Sequence, residues 1–581
     1  MPVYLYLTDT NFSVVAIVGV EFLMKNMFIY ALTAKERIET LRKKHMFLET
    51  DKIFLDRWHN IQGLSSIDDL ESLLNSQGLS LDEFAYVIKP LSRADEKTLE
   101  KSLDYHNWYI EIERILNDYF MNANKLEQEL SLDISYIIRP FLNDFSIFFE
   151  NLKNKFDQKS LKIANDVVKK MMQHVTMILS NIIIKVVAID KNEDDSEETN
   201  ENYFEKKYGS QELLNQFYTE YPVMTRLIVE KLTMLKEFIK KSFLSLIEYS
   251  EEIKEKFNFT ITGNVMTNVE LEVDDEGQEN VIYTFRGDKK LVYKHKNFEI
   301  EQCFYKFVNW MNCQMDKHPE LLNLPLSVAI YQENLTLSPF IRNCLPESKN
   351  EKKDYYKRLG QLSAILYLLG AHNLIYENIV INQGIFYINS ETLFQLDVGL
   401  LETNTEVETK SSDLPILPSL EEDEWIGDFK QGLRIMSDFI LNNKDNITLK
   451  IRECFTSKVK VRQHLKDVAH YYRLMQFLNH PNYLKDMFYL EKLFDNTLAY
   501  PYKDKRVCAF EIDLMRQGVV PSFYTELGNQ DVLLSNDKRI VNYFEQKPLE
   551  QVINRIEALN ASKMEKYVLS MISNLQIFAK K

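Results

Sequence analysis

The sequence predicts an α+β fold that is mostly helical, and three observations support this prediction. Apolar residues recur at spacings of three and four over 27–189 and again over 203–260, which is the period of amphipathic helices. Within 261–345 the period changes to two, as in strands with one buried face. Helical spacing returns after Phe429 and dominates the rest of the chain. The 15 glycines and 14 prolines are few for 581 residues, which also favours helices over a turn-rich sheet.

The composition limits both the architecture and the classes of partner. A chain of 581 residues is too long for one core, so we expect about two to four subdomains. The net charge of −16 and the lack of a Lys/Arg-dense stretch argue against a general nucleic-acid binder. The five cysteines are widely spaced, without a CxxC pair or a Cys/His cluster. This spacing predicts free thiols, no zinc site and a cytoplasmic location.

The first 26 residues carry no recognisable targeting signal. Residues 12–24 are mostly apolar, but Glu21 interrupts them and no basic region precedes them. Neither a signal peptide nor a membrane span is therefore predicted. Met24 and Met27 are alternative starts, so we treat residues 1–26 as an extension of uncertain role.

An acidic segment divides the helical first half of the chain. Residues 27–189 predict an N-terminal helical subdomain, in which Ser80 followed by Glu83 marks a helix start. Residues 190–202 (DKNEDDSEETNEN) have no apolar anchor and predict an acidic disordered loop. Residues 203–260 predict a further helical segment.

The region 261–345 has the layout of a kinase-like small lobe, a small antiparallel sheet followed by a helix. Asp274–Gly277 is expected to form a hairpin turn, because Gly277 can adopt a positive φ. Leu335–Phe340 is expected to be a linker. The predicted strands are Val269–Val273, Val281–Phe285, Leu291–Lys294 and Val328–Tyr331, and the predicted helix is Glu299–Met311.

The stretch from Tyr355 to Phe394 predicts the catalytic-loop region of a large lobe, which we assign to 346–428. It reads as a long apolar helix, a polar loop and two short strands, the order in which kinase-like folds present phosphate chemistry. Residues 403–425 are acidic and contain prolines, which predicts an activation-type loop, and 429–581 predict a C-terminal helical part. The sequence thus predicts a kinase-like (lipid-kinase-like) two-lobed core with added helical subdomains.

Four residues stand where phosphoryl transfer would need its groups. Such a site uses a lysine on the phosphates, a catalytic Asp, and an Asn and a second Asp on Mg²⁺. Lys294 ends a strand where the phosphate-binding lysine would lie, although a single strand-terminal lysine is more often simply solvated. Asn373 takes the place of the catalytic Asp, and Asn378 follows it by five residues. Asn389 comes eleven residues later, where the second metal ligand would project.

The same residues carry a resemblance to a known family. The stretch LGAHNLIYENIVINQGIFYINSETLF resembles the dehydratase domain of class II lanthipeptide (lantibiotic) synthetases, the LanM-like enzymes. That family typically shows G-x-T-D-L-H-x-E-N, a short spacer and I-D-L-E-T-L-F. EYPVMTRL is similar to its Y-P-x-x-x-R-L helix, LVYKHK to its V-Y-K-P-R strand, and EIDLMRQGVVPSF to its E-x-x-x-L-x-x-G-D-I-P-x-F motif. The ordered set of motifs covers roughly Ala31–Phe523.

The resemblance implies an activity, cofactors and partners. Enzymes of this type use ATP and Mg²⁺ to phosphorylate Ser and Thr of a precursor peptide, and then eliminate phosphate. The implied partners are the leader region of a precursor peptide and a complete lanthipeptide synthetase. The zinc ligands of the cyclase domain are missing, so no thioether ring closure is expected. The implied catalytic positions are Asn373, Asn389, Glu391 and Arg462; the cofactor-binding positions are Lys294 and Asn378; the Mg²⁺ positions are Asn378 and Asn389.

Several of these positions depart from the family pattern. An amide in place of a carboxylate keeps the shape but removes the charge that binds Mg²⁺ and the lone pair that accepts a proton. A positioned general base alone contributes about 10²–10⁴-fold in rate. The substituted positions are Asn373, Ile375, Asn389, Asn264, Met266, Val468 and Val519, and the retained ones are Lys294, Glu377, Asn378, Glu391, Thr392 and Arg462.

Three hypotheses follow, and the sequence does not decide whether the chain is an enzyme. The first is a stand-alone dehydratase-domain homologue that is degenerate in catalysis and binds a precursor peptide or a synthetase. The second is an active dehydratase in which Glu377, Glu391 or Asp397 replaces the missing ligands. The third is an interaction scaffold that binds no nucleotide. Arg462 could also be a helix salt-bridge partner, and Glu391 could serve only to accept backbone hydrogen bonds.

Overall fold

Helices dominate the structure and three sheets accompany them, which confirms the α+β class. The two-lobed kinase-like arrangement stays a prediction. The computed structural model describes residues 25–42, 55, 67–121, 134–158, 161–193, 200–273, 279–296, 299–315, 318–342, 344, 346–371, 379–382, 385–388, 393–396, 423–463, 465–466, 468–494, 504–534 and 538–578.

Side-chain caps mark the starts of several helices in the first half. The predicted start at Ser80 is confirmed: the Ser80 hydroxyl accepts the backbone N–H of Glu83, and the Glu83 carboxylate accepts the N–H of Ser80. The helices are α1 (Ala34–Leu41), α2 (Ile67–Ser76), α3 (Leu81–Ile88), α4 (Arg93–Ser102), α5 (Asn107–Met121), α6 (Ser135–Asp157), α7 (Asn165–Glu193), α8 (Asn200–Tyr208), α9 (Gln211–Glu220), α10 (Pro222–Glu248) and α11 (Ser250–Phe257).

The predicted acidic loop at 190–202 is helical at both of its ends. Helix α7 continues to Glu193, and α8 begins at Asn200. Asp190 holds the end of α7, because its carboxylate pairs with Lys207 at 3.2 Å and accepts a hydrogen bond from the Tyr221 hydroxyl at 3.3 Å. The acidic composition could not reveal these two partners, because Lys207 lies on α8 and Tyr221 lies directly before α10.

One helix in the described part of the chain has the length and composition of a possible membrane span. It covers Asn165–Lys191 in α7, with a mean hydropathy of 1.6. One side of this helix is fully buried and packs against α6 and the strand Val265–Val273. The buried side chains are Val167, Met171, Val175 and Leu179.

The first sheet has six strands in the order β1-β2-β3-β4-β6-β5 and confirms the predicted strand block. The expected linker at Leu335–Phe340 is wrong: β6 pairs antiparallel with both β4 and β5, and its Thr336 and Leu337 are buried. This strand gives the backbone of β4 a second partner. The strands are β1 (Lys162–Ile163), β2 (Val265–Val273), β3 (Glu279–Phe285), β4 (Lys289–Lys294), β5 (Ile330–Gln332) and β6 (Leu335–Pro339).

The second half adds a sheet that the sequence analysis missed. Four strands of two to four residues form the order β12-β11-β10-β9, and such short strands show no clear period of two. The strands are β7 (Ile379–Asn382), β8 (Ile385–Ile388), β9 (Lys460–Gln463), β10 (Phe523–Glu526), β11 (Val532–Leu533) and β12 (Arg539–Ile540). The helices are α12 (Glu299–Met315), α13 (Lys349–Leu368), α14 (Asp423–Asn442), α15 (Lys444–Cys454), α16 (Val468–Met475), α17 (Pro481–Leu484), α18 (Met487–Phe494), α19 (Lys505–Arg516), α20 (Pro548–Ala558) and α21 (Ala561–Phe578).

Two large cores join elements that are far apart in sequence. The first contains the N-terminal helices, the six-stranded sheet and residues from 471–520. The second contains α12 to α15 together with α20 and α21. Glu491 in α18 accepts the backbone N–H of Ala34 at 3.2 Å, which ties the start of α1 to the far end of the chain. Each core therefore combines segments from several of the predicted domains. The predicted domain boundaries stay predictions.

Two glycines allow α13 and α14 to touch through their backbones. A Cβ atom on Gly432 would lie 1.9 Å from the carbonyl oxygen of Lys357, and one on Gly360 would lie 2.2 Å from that of Phe429. Any larger residue at either position would collide with main-chain atoms. This contact lies in the second core.

The arginine of the Y-P-x-x-x-R-L motif, Arg226, is a structural residue. Its guanidinium donates to the Ala31 carbonyl at 2.8 Å and to both oxygens of Glu36 at 2.7 and 3.1 Å. It also donates to Glu230 at 2.9 Å and lies over the Trp108 ring at 4.6 Å. The residue is only 7% exposed, so α10 and the chain before α1 meet at this buried charge.

The same cluster predicts a loss of stability in acid. Burial alone would raise the pKa of Glu36, but the charge and hydrogen bonds of Arg226 outweigh burial and lower it from 4.5 to about 2. The stabilisation is therefore complete above the unfolded pKa and is lost as the pH falls through the folded value. In urea titrations from about pH 5 to about pH 2.5, the wild type should lose more stability than Glu36→Gln. Equal slopes for the two proteins would contradict this assignment.

Candidate functional site

Most of the predicted site residues lie outside the described part of the chain. Their roles stay predictions, and so do the hairpin turn at Asp274–Gly277 and most of the activation-type loop. The residues concerned are Asn373, Ile375, Glu377, Asn378, Asn389, Glu391, Thr392 and Asp397.

The elements that flank these residues confirm the predicted helix and the two strands, while the loop between them lies outside the described residues. Helix α13 ends at Leu368, and β7 and β8 pair antiparallel. The chain that follows β8 then returns to the end of α13. Phe394 N–H donates to the Leu369 carbonyl at 2.9 Å, and Gln395 N–H donates to that of Gly370 at 3.1 Å. The segment after Thr392 is thus held beside the segment before His372.

Arg462 lies on β9, next to this returning segment. The side-chain amide of Gln395 donates to the Arg462 carbonyl at 2.6 Å. Gln463 accepts the N–H of Leu396 at 2.9 Å and donates to the Phe394 carbonyl at 3.1 Å. The structure therefore brings the strand of Arg462 against a segment that begins two residues after Glu391. Arg462 is 2% exposed and lies in a strand and not in a helix, and both its catalytic role and the alternative of a salt bridge stay predictions.

Lys294 is the last residue of β4, as predicted. It is partly buried and pairs with Asn280 on one side and with Thr336 on the other. The expected linker is therefore the strand that borders this lysine. The position agrees with a small-lobe lysine, while its contact with phosphate stays a prediction.

The Gly263–Met266 element serves the fold. Asn264 uses its side-chain oxygen to accept the backbone N–H of Val265 at 2.8 Å. Met266 is completely buried in the first core. The short strand β1 lies beside this element, since Ala164 N–H donates to the Met266 carbonyl at 3.0 Å. The Met266 side chain therefore packs in the first core.

A buried ion pair stands close to Arg462 in the chain and was not predicted. Lys466 contacts Glu511 at 3.2 Å, and the Tyr471 hydroxyl donates to the same carboxylate at 2.5 Å. Burial lowers the pKa of Lys466, although the charge of Glu511 opposes this effect. The pair fixes the chain after β9 against α19. Glu511 is the first residue of the EIDLMRQGVVPSF motif, but nothing in the sequence indicated that Lys466 is its partner.

A separate cavity of about 580 Å³ opens between α12 and α15. It is lined by Cys303, Lys306, Trp310, Lys450 and Cys454, among others, and by none of the predicted site residues that the structure describes. Burial raises the pKa of the Cys303 thiol to about 12, so this thiol is neutral. All five cysteines are free thiols, as expected.

Within the described ranges, no group of three or more His, Cys, Asp or Glu side chains could hold a metal ion. The predicted Mg²⁺ positions, Asn378 and Asn389, lie outside those ranges. Val468 begins α16, but its side chain also lies outside the described part. Val519 follows Gly518, which has a φ of +72°, and is partly buried.

Comparisons with known proteins identify the family. The family described as "Domain of unknown function (DUF4135)" matches residues 221–417 and 400–526, which together exceed half of the chain. The lacticin 481/lactococcin biosynthesis protein LcnDR2 of Lactococcus lactis subsp. lactis is 23% identical over 279 residues. That alignment covers 45% of this chain and 29% of the relative, so the chain spans less than a third of the relative's length. The chain therefore belongs to the DUF4135 family, and its matched region is a LanM-like dehydratase region related to lantibiotic biosynthesis.

Proposed function

We propose that this protein is a dehydratase-domain homologue of lantibiotic biosynthesis with weak or absent phosphoryl transfer. It would act in the cytoplasm by binding a precursor peptide or a partner synthetase. The observation that carries this proposal is Met266, a buried core residue at a position where the family has a polar one. Asn264, which caps its own strand, supports the same conclusion.

The donor set does not fit ATP and Mg²⁺ well. Mg²⁺ is a hard cation that proteins usually bind through carboxylates. Asn378 and Asn389 would offer two neutral amides, and Asn373 removes a further carboxylate beside them. Lys294 would remain to contact phosphates. We therefore expect weak nucleotide binding.

A kinase-like core remains part of the proposal. The antiparallel sheet is followed by α12, and α13 is followed by a loop and by β7 and β8. This order supports a two-lobed core in which the catalytic-loop region keeps its supporting elements. The kinase-like core would then present a surface that binds the peptide, even if the protein turns over little ATP.

Purified protein mixed with ATP, Mg²⁺ and a Ser/Thr-containing precursor peptide from the same gene neighbourhood tests the proposal. We expect the peptide to raise the melting temperature, since binding to the native state alone stabilises it. We expect mass spectrometry to show no loss of water from the peptide. Dehydrated peptide would contradict the degenerate assignment, and the absence of any thermal shift with the peptide or a synthetase would contradict the binding role.

The active alternative is favoured by one observation, the contact between the strand of Arg462 and the segment that begins two residues after Glu391. It would require Glu377, Glu391 or Asp397 to replace the missing ligands. In that case Lys294→Ala and Asn378→Ala should abolish ATP turnover. Unchanged turnover in both variants would exclude this alternative. A nucleotide-free scaffold would instead show no thermal shift with ATP·Mg²⁺ or peptide, but a shift with another protein.

A further inference from the structure

Two segments that are distant in the chain lie side by side and contain no acidic residue. They are residues 167–189 of α7 and residues 468–485, which include α16 and α17. Neither segment has an Asp or a Glu, although the whole chain has a net charge of −16. Both contribute to the first core, and the Asn479 side chain donates to the Asn181 carbonyl at 2.7 Å. The structure thus joins two acid-free segments of an acidic protein.

Apolar side chains are exposed where these segments meet. Met177 and Ile184 are seven residues apart, so they lie on the same face of α7, and they are 57% and 50% exposed. Phe477 is 52% exposed and follows Gln476, whose carbonyl accepts a hydrogen bond from Lys185. Phe477 therefore lies next to the turn of α7 that carries Ile184.

The charged side chains that α7 adds to this surface are positive. Lys170 precedes Met177 by seven residues and shares its face, and Lys169 and Lys185 are also exposed. Asp190, which follows the acid-free part of α7, is already paired with Lys207. The surface therefore attracts an anionic partner. We call it the α7 patch, and it consists of Lys169, Lys170, Met177, Ile184, Lys185 and Phe477.

The charge and the packing of α7 favour a lipid surface as the partner. The opposite side of this helix is fully buried in the first core, so α7 is held in the protein and does not cross a bilayer. A second copy of the chain would bring the same lysines to the contact, and like charges would repel. An anionic lipid surface supplies phosphates for the lysines and an apolar layer for the exposed apolar side chains.

We propose that the α7 patch docks the protein on an anionic membrane surface, with α7 parallel to that surface. Met177, Ile184 and Phe477 enter the headgroup region, while the lysines contact lipid phosphates. The inference is independent of the proposed function, because none of the predicted site residues belongs to the patch.

Sedimentation of the full chain with vesicles tests the electrostatic part. The wild type should bind vesicles of phosphatidylcholine mixed with phosphatidylglycerol, and it should bind vesicles of phosphatidylcholine alone far more weakly. Salt should weaken the binding, since it screens exposed charges. The double variant Lys169→Gln/Lys170→Gln should lose at least about tenfold in affinity, because each lysine near an anionic surface contributes about fivefold. The control Lys458→Gln/Lys460→Gln removes two exposed lysines beside β9 and should bind like the wild type.

A second pair of variants tests the apolar part. Met177→Gln/Ile184→Gln should lose about tenfold in affinity for the mixed vesicles, because the apolar contact with lipid is removed. The control Leu449→Gln changes a side chain on α15 that is 69% exposed, and it should bind like the wild type. All of these positions are exposed, so circular dichroism should show unchanged folding in every variant.

Three results would overturn the inference. The first is an absence of binding to the mixed vesicles, or equal binding to both kinds of vesicle. The second is wild-type affinity in both patch variants, because docking would then use another surface. The third is a wild-type dimer in analytical ultracentrifugation that both patch variants abolish, which would assign the α7 patch to contact between two copies of the chain.

Discussion

Replacing Arg226 with methionine should lower the free energy of unfolding by about 3 kcal/mol, because it leaves two partly buried carboxylates without their counter-charge. The guanidinium is 7% exposed and serves Glu36, Glu230 and the Ala31 carbonyl at once. Methionine fills part of the volume but supplies no donor. Urea denaturation monitored by circular dichroism measures the effect as a lower midpoint with a similar slope.

The matched control is Arg434→Met, on α14. Arg434 pairs with one glutamate, Glu565, at 3.4 Å, and both side chains are more than half exposed. Exposed pairs contribute about 0–1 kcal/mol, so this variant should remain close to the wild type. Similar losses of unfolding free energy in the two variants would show that burial does not determine how much Arg226 stabilises the protein.

Replacing Gly432 with alanine should destabilise the second core by about 3 kcal/mol, at the upper end of the range for overpacked positions. The added methyl group would lie 1.9 Å from the Lys357 carbonyl oxygen, and a main-chain atom cannot rotate away as a side chain could. Helices α13 and α14 would have to separate. Because α13 ends directly before the predicted catalytic-loop region, the variant should also weaken the proposed binding of a precursor peptide.

Gly427→Ala provides the control on the same helix. A Cβ atom there would meet nothing within 4 Å. Alanine is a better helix former than glycine, so this variant should match the wild type or gain up to about 1 kcal/mol. Thermal unfolding of both variants checks the pair, and a Gly432→Ala protein as stable as Gly427→Ala would contradict the backbone contact.

The elements with a clear period or a clear cap were predictable from the sequence. The Ser80 cap, the alternating strands β2 and β3 and the apolar helix α13 all follow local rules. Strand β6 was mistaken for a linker because its identity depends on pairing with β4, which is distant in the chain. The second sheet was missed because its strands are too short to show a pattern.

The candidate site was predictable in part, from the order of its motifs. That order placed Lys294 at a strand end, and the structure agrees. The resemblance named Arg462 only as a catalytic position, so the contact between its strand and residues 393–396 was not predicted. The roles of Gln395, Lys466 and Glu511 were not predictable, because each depends on a partner from another element. Single polar residues among apolar ones show no sequence periodicity, so their hydrogen-bond or ion-pair partners cannot be predicted from the sequence.

The hydrogen bond between Ala34 and Glu491 bears on how the protein forms during synthesis. More than four hundred and fifty residues separate these two groups. The ribosome synthesises the N-terminal helices long before α18, so their shared core cannot close until α18 has been synthesised. During that interval the nascent chain exposes apolar surface that is buried in the folded protein. Because the contacts that bury it are distant in the chain, expression of the protein should depend on chaperones.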